Sequence, residues 1–187
     1  MRYLRLGTLH SGLRKRLIWT SGVKEMNGMP ERQASVYVDA NPFIYAIEGE
    51  EALAQQLKDL FSRLHDRDLV AVTSELTLAE VLPKVPSSVH RRQYLDLLLW
   101  SRIVELQPIT REILIETAAY RRVITQQGQT GNAPNMPKLP DAIHVVTAIR
   151  SGCSKFLSAD RRVKLPHGFR LFQADSAGIA ELIGELS

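Results

Sequence analysis

The sequence contains a single cysteine, Cys153, among its 187 residues. Neither an intramolecular disulfide nor a cysteine-built zinc site can be made from one thiol. No apolar run approaches the roughly 20 residues that a membrane-spanning helix needs. The longest greasy stretch, Tyr94 to Trp100, is interrupted by Asp96 and reads as an amphipathic helix. The N-terminus is basic, but it lacks the continuous apolar segment of a secretory signal. No internal repeat and no second folded domain is visible. Together these absences fit a reducing, cytoplasmic setting with no membrane attachment. Hydrophobic residues make up 44% of the chain and charged residues 24%. That is ordinary globular composition, which argues against disorder across the whole chain.

Charge is unevenly placed. The pI is about 9.4, a value that by itself points toward nucleic acid. Of the 24 basic and 20 acidic residues, seven and two respectively fall in residues 1–34. Residues 35–187 therefore hold 17 basic and 18 acidic residues, a net charge of −1. The basic character belongs to the N-terminal segment, so the remainder gives no global argument for a polyanionic partner. Residues 1–34 show no sustained periodicity and form a basic extension outside the expected domain, 35–187. Two readings of it stand. Met26 or Met29 is the true start, or the segment is a basic arm that adds electrostatic affinity for RNA.

From Ser35 onward, short β-branched runs alternate with helical periodicity. Strands are expected at 35–38, 69–72, 103–106, 155–158 and 170–172. Helices are expected at about 51–66, from Thr73 or Ser74 to Lys84, at 90–100, 110–126, 139–151 and 175–185. In the first of these, Leu53, Leu57, Leu60 and Leu64 recur at helical spacing. Residues 127–137 are rich in Gly, Asn, Gln and Pro and read as a loop. Strands separated by helices imply a three-layer α/β/α fold with a central, mostly parallel sheet.

Ligands of open parallel sheets bind beyond the carboxyl ends of the strands. That rule selects Asp39, at the end of the first strand, and Asp160, just after the fourth. Either could equally be a helix cap. Glu80 lies in Leu76-Thr-Leu-Ala-Glu-Val-Leu82, a helix apolar on most faces, where a carboxylate needs a partner or a metal. An i,i+4 pair with Lys84 or a capping box with Thr77 would also satisfy it. Asp141 follows Pro140 in the first turn of a helix, a position that suits an acid for helix-terminal reasons alone. His144 sits three residues further on, near the same face. Four acids from four segments, brought to one sheet edge, would repel one another. A hard divalent cation such as Mg²⁺ relieves that repulsion through oxygen ligands.

These residues resemble the acidic motifs of PIN domains. The resemblance is carried by Val36-Tyr-Val-Asp-Ala-Asn41 with Phe43-Ile-Tyr45, by Thr77-Leu-Ala-Glu-Val81, by Leu139-Pro-Asp-Ala-Ile-His-Val-Val-Thr-Ala148, and by Phe156-Leu-Ser-Ala-Asp160. They occur in the family's order over about residues 35–187, and the nearest likeness is to VapC-like ribonuclease toxins. The resemblance implies a PIN fold and Mg²⁺- or Mn²⁺-dependent endonucleolytic hydrolysis of RNA. It implies that Asp39, Glu80, Asp141 and Asp160 form the catalytic and metal-binding quartet, supported by Asn41 and Ser158. It also implies a homodimer and a small antitoxin protein as partner. Candidate contacts to the RNA backbone are Lys84, Arg91, Arg92, Lys138, Arg161 and Arg162. The basic extension and the long loop before Asp141 depart from the family pattern. Three alternatives remain: a PIN fold that binds RNA or protein without cutting, an RNA-processing nuclease with no antitoxin, and a haloacid-dehalogenase-type phosphatase. The last wants a second Asp two residues after the first, where this chain has Asn41.

Overall fold

The computed structural model describes residues 36–67, 69–127 and 136–186. The basic extension and most of the 127–137 loop lie outside them. Five strands are described: β1 (Val36–Val38), β2 (Ala71–Ser74), β3 (Val104–Gln107), β4 (Lys155–Ser158) and β5 (Arg170–Gln173). They form one sheet in the order β3-β2-β1-β4-β5, and every pairing is parallel. The helices are α1 (Ala40–Glu48), α2 (Glu51–Asp66), α3 (Leu76–Val81), α4 (Ser88–Leu95), α5 (Arg111–Gln127), α6 (Leu139–Arg150) and α7 (Ser176–Glu185). A 3₁₀ turn, Leu82–Lys84, follows α3, and a π-helical turn, Asp96–Trp100, follows α4. The expected three-layer α/β/α architecture is thus observed.

Alternation along β1 divides the core, because successive strand residues face opposite sides of the sheet. Val36 and Val38 face a cluster with Phe43, Leu57, Leu60, Leu64 and Leu98. Tyr37 faces the other side, with Val72, Ile113, Val145, Val146 and Phe156. So α1, α2, α4 and α7 cover one face, and α5 and α6 cover the other. Every residue of β1 is buried, as expected of a central parallel strand covered on both sides.

The order of the strands fixes where a ligand can sit. From β1 the chain steps outward to β2 and β3, then returns to place β4 and β5 on the other side of β1. The connections therefore diverge between β1 and β4, and a crevice opens at the carboxyl ends of these two strands. The Asp39 N–H still donates to the Leu157 carbonyl at 3.0 Å, which holds the two strand ends together.

Most expected elements appear, with shifts. The helix at 51–66 lies where its leucine spacing puts it. Strands β2 and β3 begin two residues and one residue later than expected. Helix α1 has no counterpart in the sequence reading. Among the described residues, no helix is long and apolar enough to cross a membrane.

Candidate active site

Asp39 stands at the junction of β1 and α1. Its Oδ1 accepts a hydrogen bond from the Ala40 N–H at 2.8 Å, so it is the N-cap of α1. Its Oδ2 accepts one from the Ser158 hydroxyl at 2.7 Å. Capping and site placement are therefore not alternatives here. Ser158 is fully buried at the end of β4, and its oxygen accepts the Asp160 N–H at 3.0 Å. With that role filled, the hydroxyl proton is directed to Asp39. Asn41, half-buried in the first turn of α1, supplies neither of these bonds; the orienting donors are Ala40 and Ser158.

Glu80 projects from α3 with its side chain 30% exposed. That is more open than its apolar neighbours imply; of the six residues of α3, only Thr77 and Val81 are buried. Its partner is neither Lys84 nor the N-terminus of the helix. Glu80 Oε2 lies 2.8 Å from His144 Nε2. The same nitrogen lies 3.6 Å from Asp39 Oδ1. One ligand atom from each of Asp39, Glu80 and His144 lies within 4.8 Å of the others.

Asp141 occupies the first turn of α6, where Pro140 also sits. Burial pushes its carboxyl above the ordinary carboxylate range, and the nearby negative charges of Asp39 and Asp160 push it further. Lys138 and His144 act in the opposite direction. Asp141 is thus electrostatically coupled to two other acids of the expected quartet. Asp160 behaves differently. Its Oδ1 accepts from the Arg162 N–H at 2.8 Å and from Nε at 3.0 Å, and its Oδ2 accepts from the guanidinium at 3.2 Å. These bonds hold its carboxyl below the ordinary range. Asp141 and Asp160 border a recess also lined by Tyr120, Lys138, Arg162 and Lys164.

The four expected acids therefore fall in two groups, linked by the charges of Asp39 and Asp160 that act on Asp141. Asp39 and Glu80 share His144, while Asp141 and Asp160 flank the neighbouring recess. Lys164 and Tyr37 enter the picture only with the structure. Tyr37 carries a sequence signal, since strand alternation puts it on the sheet face that α6 covers. The other basic candidates disperse: Arg161 pairs with Asp175 at 3.5 Å and Arg92 with Asp96 at 3.7 Å, both at exposed positions.

The donor chemistry fits a hard divalent cation. The acids present carboxylate oxygens, and Mg²⁺ prefers oxygen ligands and typically keeps several waters. The upward push on Asp141 from its acidic neighbours is the repulsion that a bound cation would relieve.

Residues 36–166 match the PIN domain family. The chain belongs to that family. No curated protein matches the chain. Among solved structures, the PIN fold here is similar to VapBC2 from Rickettsia felis, crystallised with a DNA fragment from its promoter. The TM-score is 0.53 at 15% identity, covering 74% of this chain and 97% of that one. It is also similar to VapC20 from Mycobacterium tuberculosis, described as a toxin that cleaves the sarcin–ricin loop. There the TM-score is 0.46 at 14% identity, covering 65% and 87% of the two chains.

Proposed function

We infer that this PIN domain is a metal-dependent endoribonuclease that hydrolyses RNA phosphodiester bonds, and that it serves as the toxin of a type II toxin–antitoxin pair. The observation that supports the reading is the grouping of Asp39 with Glu80 around His144 beside a recess lined by Asp141 and Asp160, with Asp141 pushed up by burial and by the charges of Asp39 and Asp160. Asp39, Asp141 and Asp160 would hold Mg²⁺ or Mn²⁺ directly or through water, and Glu80 would complete the cluster or orient the attacking water. Such an ion, when bound, activates water and offsets the charge that develops on the phosphate oxygens. The chain's own residues supply the rest. Ser158 fixes the angle of Asp39. Lys138 and Lys164 at the rim of the recess offer positive charge to a phosphate. Arg162, which occupies both oxygens of Asp160, can exchange that contact for a substrate phosphate.

Attack by water on phosphorus, with the P–O3′ bond breaking and the 3′-oxygen leaving as a hydroxyl, gives a 5′-phosphate and a 3′-hydroxyl, with no part for the ribose 2′-OH. End-group analysis of RNA cut by the purified protein tests this directly. Products ending in 2′,3′-cyclic phosphate would contradict the mechanism. The toxin assignment has its own test. Expression alone should arrest growth, and co-expression of the small protein encoded beside it should restore growth. Relief by no neighbouring product would leave an RNA-processing nuclease. For protein contacts, whether homodimer or antitoxin, the candidate surface is the end of the π-helical turn. There Leu98 is buried, while Leu99 and Trp100 are 42% and 71% exposed.

A second reading is a PIN fold that grips RNA or a protein without cutting. The Arg162 clamp on Asp160 favours it, since the clamp occupies one of the four acids. Metal-dependent turnover separates the two.

A further inference from the structure

His144 is 1% exposed, yet both of its ring nitrogens are engaged by polar groups. Nε2 lies 2.8 Å from Glu80 Oε2. Nδ1 lies 2.7 Å from the hydroxyl of Tyr37. An ionised carboxylate only accepts hydrogen bonds, so a bond from the imidazole to it needs the proton on the nitrogen that faces Glu80. In the neutral ring the other nitrogen is then an acceptor, and the Tyr37 hydroxyl is the group placed to donate to it. Tyr37 is suited to this role. It is fully buried between sheet and α6, stacked on Phe156 at 5.0 Å and edge-on to the imidazole at 5.8 Å. Burial and the nearby charge of Asp39 keep its phenol protonated.

The cluster of Asp39, Glu80 and His144 could be read as a three-ligand metal centre with imidazole nitrogen as one ligand. The geometry points to another arrangement: Nε2 sits at hydrogen-bond distance from Glu80 Oε2, 2.8 Å, and a nitrogen that donates that bond has no lone pair for a cation. We propose that His144 is a positioning residue rather than a metal ligand: Tyr37 fixes its ring as the Nε2–H tautomer, and that N–H holds Glu80 in place at the acidic crevice. One oxygen of Glu80 is committed to the imidazole, and the other remains for the cation or its water. The centre is therefore all-oxygen by construction, which favours Mg²⁺ or Mn²⁺ over zinc. This inference rests on the reading of Glu80 as part of a metal-binding nuclease centre.

Nitrogen-15 NMR of the full-length protein labelled at histidine reads the tautomer without any need for activity. His144 is assigned by its loss in His144→Gln. The expected spectrum has a protonated Nε2 and an unprotonated Nδ1, and it keeps that pattern when Mg²⁺ is added. An unprotonated Nε2 would overturn the proposal, as would a switch of tautomer on Mg²⁺ addition. Cation affinity is read in parallel from the Mg²⁺ concentration that half-saturates the rise in melting temperature. Removing a group that orients a metal-binding carboxylate typically weakens affinity about 10–100-fold. His144→Leu should show a loss of that size. His144→Gln, whose amide can still donate toward Glu80, should recover most of it, and Tyr37→Phe should fall between. Equal affinity in all variants, or no recovery in a folded His144→Gln, would refute the positioning role. Absence of RNA cleavage by wild type, with the tautomer and the affinity series as expected, would count against the nuclease reading alone.

Discussion

At Asp141, stability and metal binding pull in opposite directions. Its folded carboxyl sits above the ordinary range because of burial and the charges of Asp39 and Asp160. A carboxyl raised in this way stabilises the fold fully only below its unfolded pKa, and the contribution is lost as pH rises through the higher folded value. At neutral pH without metal, ionised Asp141 is therefore a cost. Asp141→Asn should melt at a higher temperature than wild type in EDTA at neutral pH, and the difference should vanish at acidic pH. With Mg²⁺ the order should reverse. Saturation at about 100 times the dissociation constant is worth about 2.7 kcal/mol. For a chain of this size that corresponds to a rise of about 5–10 °C in wild type, which Asp39→Asn and Asp141→Asn should largely lack. Calorimetry with and without Mg²⁺ measures both effects. Ser158→Ala tests the orienting bond. It removes a hydrogen bond to a charged group, worth about 1.5–3 kcal/mol, and leaves the Asp160 N–H without its partner. Denaturant titration should show a loss of that order, and unchanged stability would mean that Asp39 finds another donor. Cys153 is a quieter case. Burial, with a smaller push from Glu105, drives its thiol up to about 12. It should resist thiol reagents in the native state at neutral pH and react once the protein is unfolded.

At the scale of elements, α2 shows how packing follows pattern. Leu57, Leu60 and Leu64 are fully buried along one face, the stripe that its helical spacing requires. Leu57→Ala should cost about 2–5 kcal/mol by equilibrium unfolding. A loss well under 1 kcal/mol would show that the site collapses around the smaller side chain. Helix α1 was not legible, and the reason is physical. It has nine residues, its apolar side chains run together from Phe43 to Ile47, and Asn41-Pro42 reads as a turn. What makes it a helix is its start. Asp39 caps it, Pro42 is tolerated in the first turn, and Phe43 and Ala46 anchor it in the core. The late starts of β2 and β3 have a similar cause. Leu69 and Val70 are as apolar as strand residues, and only register decides the boundary, with Ala71 opposite both Val36 and Val104. In the candidate site, the four proposed acids were legible as candidates because each follows a strand or lies in an apolar helix. Their partners were not. Nothing local in the sequence ties Glu80 to His144, 64 positions away, or Tyr37 to His144, 107 positions away. Lys84 and Thr77, near in sequence, were the more visible partners for Glu80.

For the molecule as a whole, charge sets the division of labour. Residues 35–187 carry a net charge of −1, and the surplus of positive charge lies in residues 1–34. If that segment is a basic arm, RNA affinity should fall on deletion of residues 1–28, and the difference should shrink at higher salt. Equal affinity at both salt concentrations would remove the arm from the mechanism. Within the PIN domain, one recess brings Lys138, Arg162 and Lys164 beside Asp141 and Asp160. Acidic and basic side chains thus meet in one recess, as the proposed nuclease reading requires. The decisive measurement is cleavage of a mixed pool of structured RNA by the purified protein in Mg²⁺, Mn²⁺ or EDTA, beside Asp39→Asn and Asp141→Asn. Cuts should appear with either metal, vanish in EDTA, and fall at least about 100-fold in both variants, since even residues that only support metal ligands matter at the 10–100-fold level. Cuts that persist in EDTA or in both variants, or no cuts by folded, antitoxin-free wild type, would contradict a metal-dependent nuclease built on these four acids.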